Sequence, residues 1–215
     1  PTLRVGVVDA QGKETRWLSI AVPAEDFYLG QVDWAGNSDE LLIEKLSRFR
    51  DEREFLLTDV RTGAIRRIFH ESDPAWVIAS YAKNAGLTWI RDGQAFIVMS
   101  EKDGWRHAYV YSRDGQELHL LTPGPYDIIE RARVDESGGW FYFYASPGNG
   151  TQKYLYRVPL EGTGKATRLT PPSGFVPKRA SASMRDCMRS GLAVMASSAA
   201  MAPIDRKASI TNAVP

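Results

Sequence analysis

The chain of 215 residues has one cysteine, Cys187, and three histidines. A lone cysteine closes no internal disulfide, and no zinc-type Cys/His spacing exists, so neither cofactor nor metal is expected. An excess of one charge is also missing: 27 Lys and Arg face 26 Asp and Glu, a net charge of +1. That balance leaves no electrostatic footprint for nucleic acid or an anionic membrane. No apolar run reaches the roughly 18 residues of a membrane-spanning helix. The start, at Pro1, has no charged stretch leading into an apolar one and enters strand-like sequence directly, which reads as a piece of something longer.

Aromatic residues are missing from one region only. Of 8 Phe, 9 Tyr and 6 Trp, Phe175 alone lies beyond Gly174, whereas four of the five Met and the Cys lie there. The stretch from 174 to 215 has no alternation and no sustained helical stripe. It is expected to be a low-order tail, with at most a short helix over Gly191 to Ala202. The abrupt change suggests a reading frame that is wrong after about Gly174.

What is present is a repeat. Leu3–Ile20, Glu54–Phe69, His107–Thr122 and Tyr154–Thr170 each read strand, glycine turn, strand. Their turn glycines are Gly12, Gly63, Gly115 and Gly162, at intervals of 51, 52 and 47 residues. Glycine suits such turns because it takes positive φ without a Cβ clash. A second class of hairpin lies between them, at Tyr28–Leu46, Leu87–Ser100 and Ile129–Ala145. One unit is therefore four strands in about 45–55 residues, the size of a β-propeller blade.

The expected fold is all-β. Residues 28–70, 87–122 and 128–170 make three blades, and Leu3–Ile20 supplies the last two strands of a preceding one. Three to three and a half blades fall short of the usual closed ring. Residues 1–173 are thus expected to form an incomplete propeller, an arc of a larger one or part of a blade set completed by another chain. Lys45, Arg48, Arg50 and Arg53 alternate with acids and apolar residues and read as a solvated blade edge.

The string Ser100-Glu101-Lys102-Asp103-Gly104-Trp105-Arg106-His107 reads as a turn between the second and third strands of a blade. Asp103-Gly104 is a hairpin signal, Trp105 is expected against the neighbouring sheet, and Arg106 and His107 are placed to bond the acidic turn. A structural role is the expectation for these residues. In its setting this string resembles the N-terminal propeller of the dipeptidyl peptidase IV family of prolyl oligopeptidase-type serine peptidases. Val32-Asp33-Trp34, Leu42-Ile43-Glu44-Lys45-Leu46-Ser47-Arg48, Leu57-Thr58-Asp59, Glu71-Ser72-Asp73-Pro74-Ala75-Trp76, and Leu121-Thr122-Pro123-Gly124 also fit the family in order.

The resemblance implies proteolysis by a serine exopeptidase acting on peptides, with a homodimeric parent exported to the periplasm or cell exterior. It also implies a Ser-Asp-His triad on a separate hydrolase domain. No Gly-x-Ser-x-Gly elbow occurs in this sequence, so no catalytic residue is assigned. The family's amine-binding glutamates lie upstream of the matched region, and Glu25-Asp26 and Asp51-Glu52 do not stand at the matching place. The segment from Ile78 to Gly86 falls where the family's propeller lines its cleft, which makes Tyr81 the substrate-cleft candidate. The chain is expected to gate and position substrate, not to cleave it. The alternatives are a stand-alone binding propeller of the TolB or WD type, or a nonfunctional gene fragment. Asn149-Gly150-Thr151 is a formal glycosylation sequon in a loop.

Overall fold

A computed structural model describes residues 2–12, 14–20, 27–78, 86–170 and 206–213. All its regular structure is β, in four antiparallel sheets. Sheet 1 holds β1 (Thr2–Asp9) and β2 (Arg16–Leu18), joined by β15 (Arg206–Ala213) on the other side of β1. Sheet 2 runs in chain order through β3 (Phe27–Trp34), β4 (Glu40–Ser47), β5 (Glu52–Asp59) and β6 (Ile65–Ser72). Sheet 3 is β7 (Thr88–Ile90), β8 (Ala95–Ser100), β9 (His107–Ser112) and β10 (Glu117–Leu120). Sheet 4 is β11 (Ile128–Asp135), β12 (Trp140–Ala145), β13 (Tyr154–Pro159) and β14 (Thr167–Arg168).

The three blades and the half-blade read from the repeat are these sheets. Within the stretch read as a low-order tail, β15 lies beside β1 from Thr2↔Ala213 to Asp9↔Arg206. The helix considered for Gly191 to Ala202 lies outside the described residues.

The sheets stack face to face, and the period of two shows how. Leu41 and Ile43 of β4 pack toward Val5, Leu18 and Ile20 of the first sheet. Leu42, between them, points the other way, toward Phe96, Val98 and Tyr109 of the third. In β8, Phe96 and Val98 face sheet 2, while Ile97 and Met99 face Phe141 and Phe143 of sheet 4. A strand covered on both sides reads as a continuous apolar run, and all six residues of β8 are buried. The last strands, β6, β10 and β14, expose more of their length. Burial of each middle strand removes apolar surface worth about 25 cal/mol per Å².

The hairpins divide the blades into two ends. At the turn end, seven tight connections each carry a glycine with φ between 72° and 92°: Gly12, Gly36, Gly63, Gly93, Gly115, Gly139 and Gly162. Two of these glycines are also required by contact. A Cβ on Gly115 would stand 2.3 Å from the Ile68 carbonyl oxygen, and one on Gly36 would stand 3.1 Å from the Gly93 Cα. At the loop end lie the connections 73–87, 101–106, 121–127 and 146–153. The short tip between β4 and β5, residues 48–51, lies there too.

Candidate functional site

The loop end carries the motif residues. Asp103 and Gly104 form the turn, with Gly104 at φ 89° and its N–H donating to Glu101 O at 2.9 Å. Asp103 Oδ1 accepts from the Trp105 N–H at 3.2 Å, and Oδ2 meets His107 Nδ1 at 2.8 Å. His107 Nε2 faces Gly124 O at 2.9 Å, and the residue is only 2% exposed. Each ring nitrogen of His107 thus has an oxygen partner. Burial opposes ionisation of Asp103, but His107 and the Trp105 N–H outweigh it and hold its carboxyl below the usual range.

Arg106 completes the turn. Its Nε donates to Glu101 Oε1 at 2.9 Å, and its Nη2 stands 2.9 Å from the same oxygen as an ion pair. Its backbone N–H donates to Asp127 Oδ1 at 2.7 Å, and its carbonyl accepts from Ile128 N at 2.8 Å. Loop 101–106 is thereby fastened to the connection that enters sheet 4. The expectation that Arg106 and His107 bond the acidic turn is met. Trp105, expected against the next sheet, is instead 41% exposed.

Below this loop lies a buried ionic group. Arg53 of β5 is 0% exposed, so it does not sit on a solvated blade edge. Its Nη2 donates to Met99 O of β8 at 2.7 Å. The same nitrogen contacts Glu71 Oε1 at 2.6 Å, an ion pair not aligned as a hydrogen bond. Glu44 Oε1 stands 3.8 Å from Nη1. The guanidinium lies 5.4 Å from the ring centroids of both Phe55 and Phe69. Two carboxylates and two aromatic faces are what overturn the solvated reading of Arg53, because a buried charge persists only when paired.

Burial raises the Glu71 pKa, although the Arg53 charge and a hydrogen bond from Ser100 Oγ act against the rise. Glu44 Oε2 accepts from Gln31 N at 2.8 Å, where the β3–β4 register shifts. A Cβ on Gly30 would fall 1.8 Å from that oxygen, so glycine there makes room for the carboxylate.

Glu71, Asp73, Trp76, Ile78 and Glu101 line a recess of about 30 Å³ at this end. Three aromatic side chains stand out around it in the neighbouring connections: Phe49 at 85% exposure, Trp76 at 60%, and Trp105. Val77 N donates to Arg50 O at 2.7 Å, which ties the Trp76 segment to the Phe49 tip. The arrangement can bind a polar or aromatic group through carboxylates and rings. Among the described residues no histidine stands beside a serine as a nucleophile–base pair requires. His119 faces Leu160 O at 3.1 Å, as a satisfied strand residue should. Asp51 accepts from Ser47 Oγ at 2.5 Å and so belongs to its own turn.

The structure therefore brings Ser100, Glu101, Asp103, Arg106 and His107 into one turn, in the pairs Arg106–Glu101 and His107–Asp103, with Ser100 bonded to Glu71. Tyr81 and Glu25-Asp26 lie outside the described residues. Sequence reasoning missed Arg53, Glu44 and Glu71 as a unit. The signal was the hairpin register, which sets Arg53 directly opposite Glu71.

Four-stranded antiparallel sheets, stacked in chain order with their long connections at one end, define a blade arc of the β-propeller class. The chain belongs to the dipeptidyl peptidase IV (DPP IV) N-terminal region family, whose model matches residues 1–189, past the boundary drawn at 173. It is 24% identical to the probable dipeptidyl peptidase 4 of Emericella nidulans over 74% of this chain and 22% of that protein. It is 26% identical to the probable dipeptidyl-aminopeptidase B of Coccidioides posadasii over 76% of this chain and 19% of that protein. The chain thus spans about a fifth of the length of these relatives. Among solved structures, Porphyromonas gingivalis dipeptidyl peptidase 4 aligns with a TM-score of 0.64 at 24% identity, over 73% of this chain and 21% of that one. A putative TolB from Agrobacterium tumefaciens aligns with a TM-score of 0.50 at 14% identity, over 77% of this chain and 55% of that one.

Proposed function

We propose that this chain is the propeller part of a dipeptidyl peptidase IV-type serine exopeptidase, where it walls the substrate cleft and positions peptides for a separate hydrolase domain. The observation that carries this reading is the asymmetry of the blades. The turn end is closed by tight glycine hairpins, whereas the loop end gathers the Ser100–His107 motif, a carboxylate-lined recess and three exposed aromatic side chains. Carboxylates and aromatic faces suit the charged and apolar groups of a peptide. Ser100, Glu101, Asp103, Gly104, Arg106 and His107 act as a frame for that end, and Tyr81 is the substrate-cleft candidate that the family resemblance supplies. The chemistry of bond cleavage is assigned to the hydrolase domain.

Two measurements test the reading. The purified chain should release no X-Pro dipeptide from a chromogenic substrate, and turnover by the chain itself would overturn it. In the polypeptide that carries the hydrolase domain, Trp76→Ala and Glu101→Gln should lower kcat/KM while leaving the fold intact. Unchanged kcat/KM in both variants would remove the loop end from substrate positioning.

A second reading, a stand-alone binding propeller, is favoured by the likeness to TolB, of which the chain covers 55%. It requires a partner protein or peptide bound at the loop end without any hydrolase domain encoded at the same locus.

A further inference from the structure

The loop between β12 and β13 holds an asparagine placed for chemistry of its own. Asn149 Oδ1 accepts two hydrogen bonds from one residue: the Thr151 N–H at 3.1 Å and the Thr151 hydroxyl at 2.8 Å. Both donors draw electron density from Cγ and stand where negative charge would develop if Cγ were attacked. The residue that follows, Gly150, has no side chain, and the space where its Cβ would point is open to 4 Å. The loop is exposed.

We propose that Asn149 is a site of spontaneous succinimide formation, and hence of deamidation, activated by Thr151. Hydroxide removes the Gly150 amide proton, and that nitrogen bonds to Asn149 Cγ. The charge passes to Oδ1, held by the two Thr151 donors. The tetrahedral carbon collapses and the Cγ–Nδ2 bond breaks, with Nδ2 leaving as ammonia after taking a proton from water. Water then opens the five-membered ring at either carbonyl, giving aspartate or isoaspartate. No oxidant, reductant or enzyme is required. The product adds a negative charge to the loop end, and isoaspartate also lengthens the backbone there by one carbon.

Asn37 is an internal reference. Its Oδ1 also accepts two backbone N–H groups, from Asp39 and Glu40. However, its Nδ2 is held by Glu40 Oε2 at 3.3 Å, and the next residue, Ser38, carries a side chain. The leaving group is tied and the nucleophile is hindered.

The test is incubation of the full chain at mildly alkaline pH, followed by peptide mapping. Asn149 should gain about one dalton and form isoaspartate at least tenfold faster than Asn37 does, as an activated carbonyl requires. Gly150→Ala should slow the reaction. Thr151→Val, which keeps the shape and removes the hydroxyl, should slow it by about threefold to tenfold, and Thr151→Ser should restore it. Circular dichroism on each variant guards against a loss of fold. Equal rates at Asn149 and Asn37 would overturn the site. An unchanged rate in Thr151→Val would overturn the activation.

Discussion

Two of the three seams between neighbouring sheets are built differently. Between sheets 3 and 4 the interior is apolar and aromatic. Phe141 and Phe143 stack at 5.7 Å, Phe143 and Tyr156 at 5.6 Å, over Ile97, Met99 and Val110. Between sheets 2 and 3 an aromatic centre, with Phe96 and Tyr111 stacked at 5.4 Å, is flanked by an arginine at each end. Arg53 crosses at the loop end to Met99 O. Arg113 crosses at the turn end to Ala35 O at 2.8 Å and to Glu40 Oε2 at 2.5 Å. The interior of the first seam is packed by shape, which tolerates volume-conserving swaps, and polar bonds such as His119 to Leu160 O lie at its edge. The second is specified by directional partners, which tolerate neither sliding nor the loss of one member. The recess opens beside the second seam, next to the Arg53–Glu71 pair.

The largest expected effect is on the shape-specified seam. Phe143→Ala removes a fully buried ring and should cost about 4 kcal/mol, read as a lower denaturant midpoint. Phe143→Leu should recover most of that. Next comes the charged seam. Arg53→Ala leaves Glu44 and Glu71 without their cation and should cost about 3 kcal/mol. The double variant Arg53→Met with Glu71→Gln should recover part of it, since the carboxylate that lost its partner is then neutral. If Phe143→Leu were as damaging as Phe143→Ala, or the double variant worse than Arg53→Ala, the contrast between the seams would fail.

The ends of the charged seam should also respond to pH in opposite senses. Burial opposes ionisation of Glu40, but Arg113, Asn37 and Arg66 outweigh it, so its pKa is lowered. A lowered carboxyl contributes stability above its unfolded pKa, and loses it as pH falls through the folded value. Glu71 is the reverse: its raised pKa contributes stability below the ordinary glutamate range and loses it as pH rises through the folded value. Glu40→Gln should therefore cost about 1 kcal/mol at neutral pH, with the cost fading in acid. Glu71→Gln should become relatively more favourable as pH rises from about 4 to 7. Parallel pH profiles for the two variants would contradict this assignment.

Much of the fold was legible because glycine turns and alternating strands are local signals. Gly12, Gly63, Gly115 and Gly162 announced their hairpins through the φ they must adopt. Arg106 and His107 were legible as partners of the acidic turn for the same reason, lying five and four residues from Glu101 and Asp103. Arg53 was not. Its partners Glu44, Glu71 and Met99 come from three other strands, and one of them belongs to the next sheet. An arginine among acids in sequence reads as solvated, and only the stacking of sheets 2 and 3 closes water out. Trp105 failed in the other direction, since a large apolar residue in a repeat is expected inside unless its own turn points it out. Strand β15 could not be read from alternation alone, because its pairing joins positions about two hundred residues apart.

The smallest expected effect on stability is the most informative about the ends of the blades. Trp76 is 60% exposed at the rim of the recess, and its N–H is part of the Asp73 turn, which any side chain can occupy. Trp76→Ala should therefore change the unfolding free energy of this chain, read from the denaturant midpoint, by no more than about 0.5 kcal/mol. An indole that is mostly exposed contributes little to folding, so kcat/KM and not stability is the measurement that tests a role for it. If Trp76→Ala is neutral for stability yet lowers kcat/KM in the polypeptide with the hydrolase domain, the loop end is a working face and the turn end its scaffold. A loss of several kcal/mol would show that the indole packs as core, and the division between the two ends would disappear.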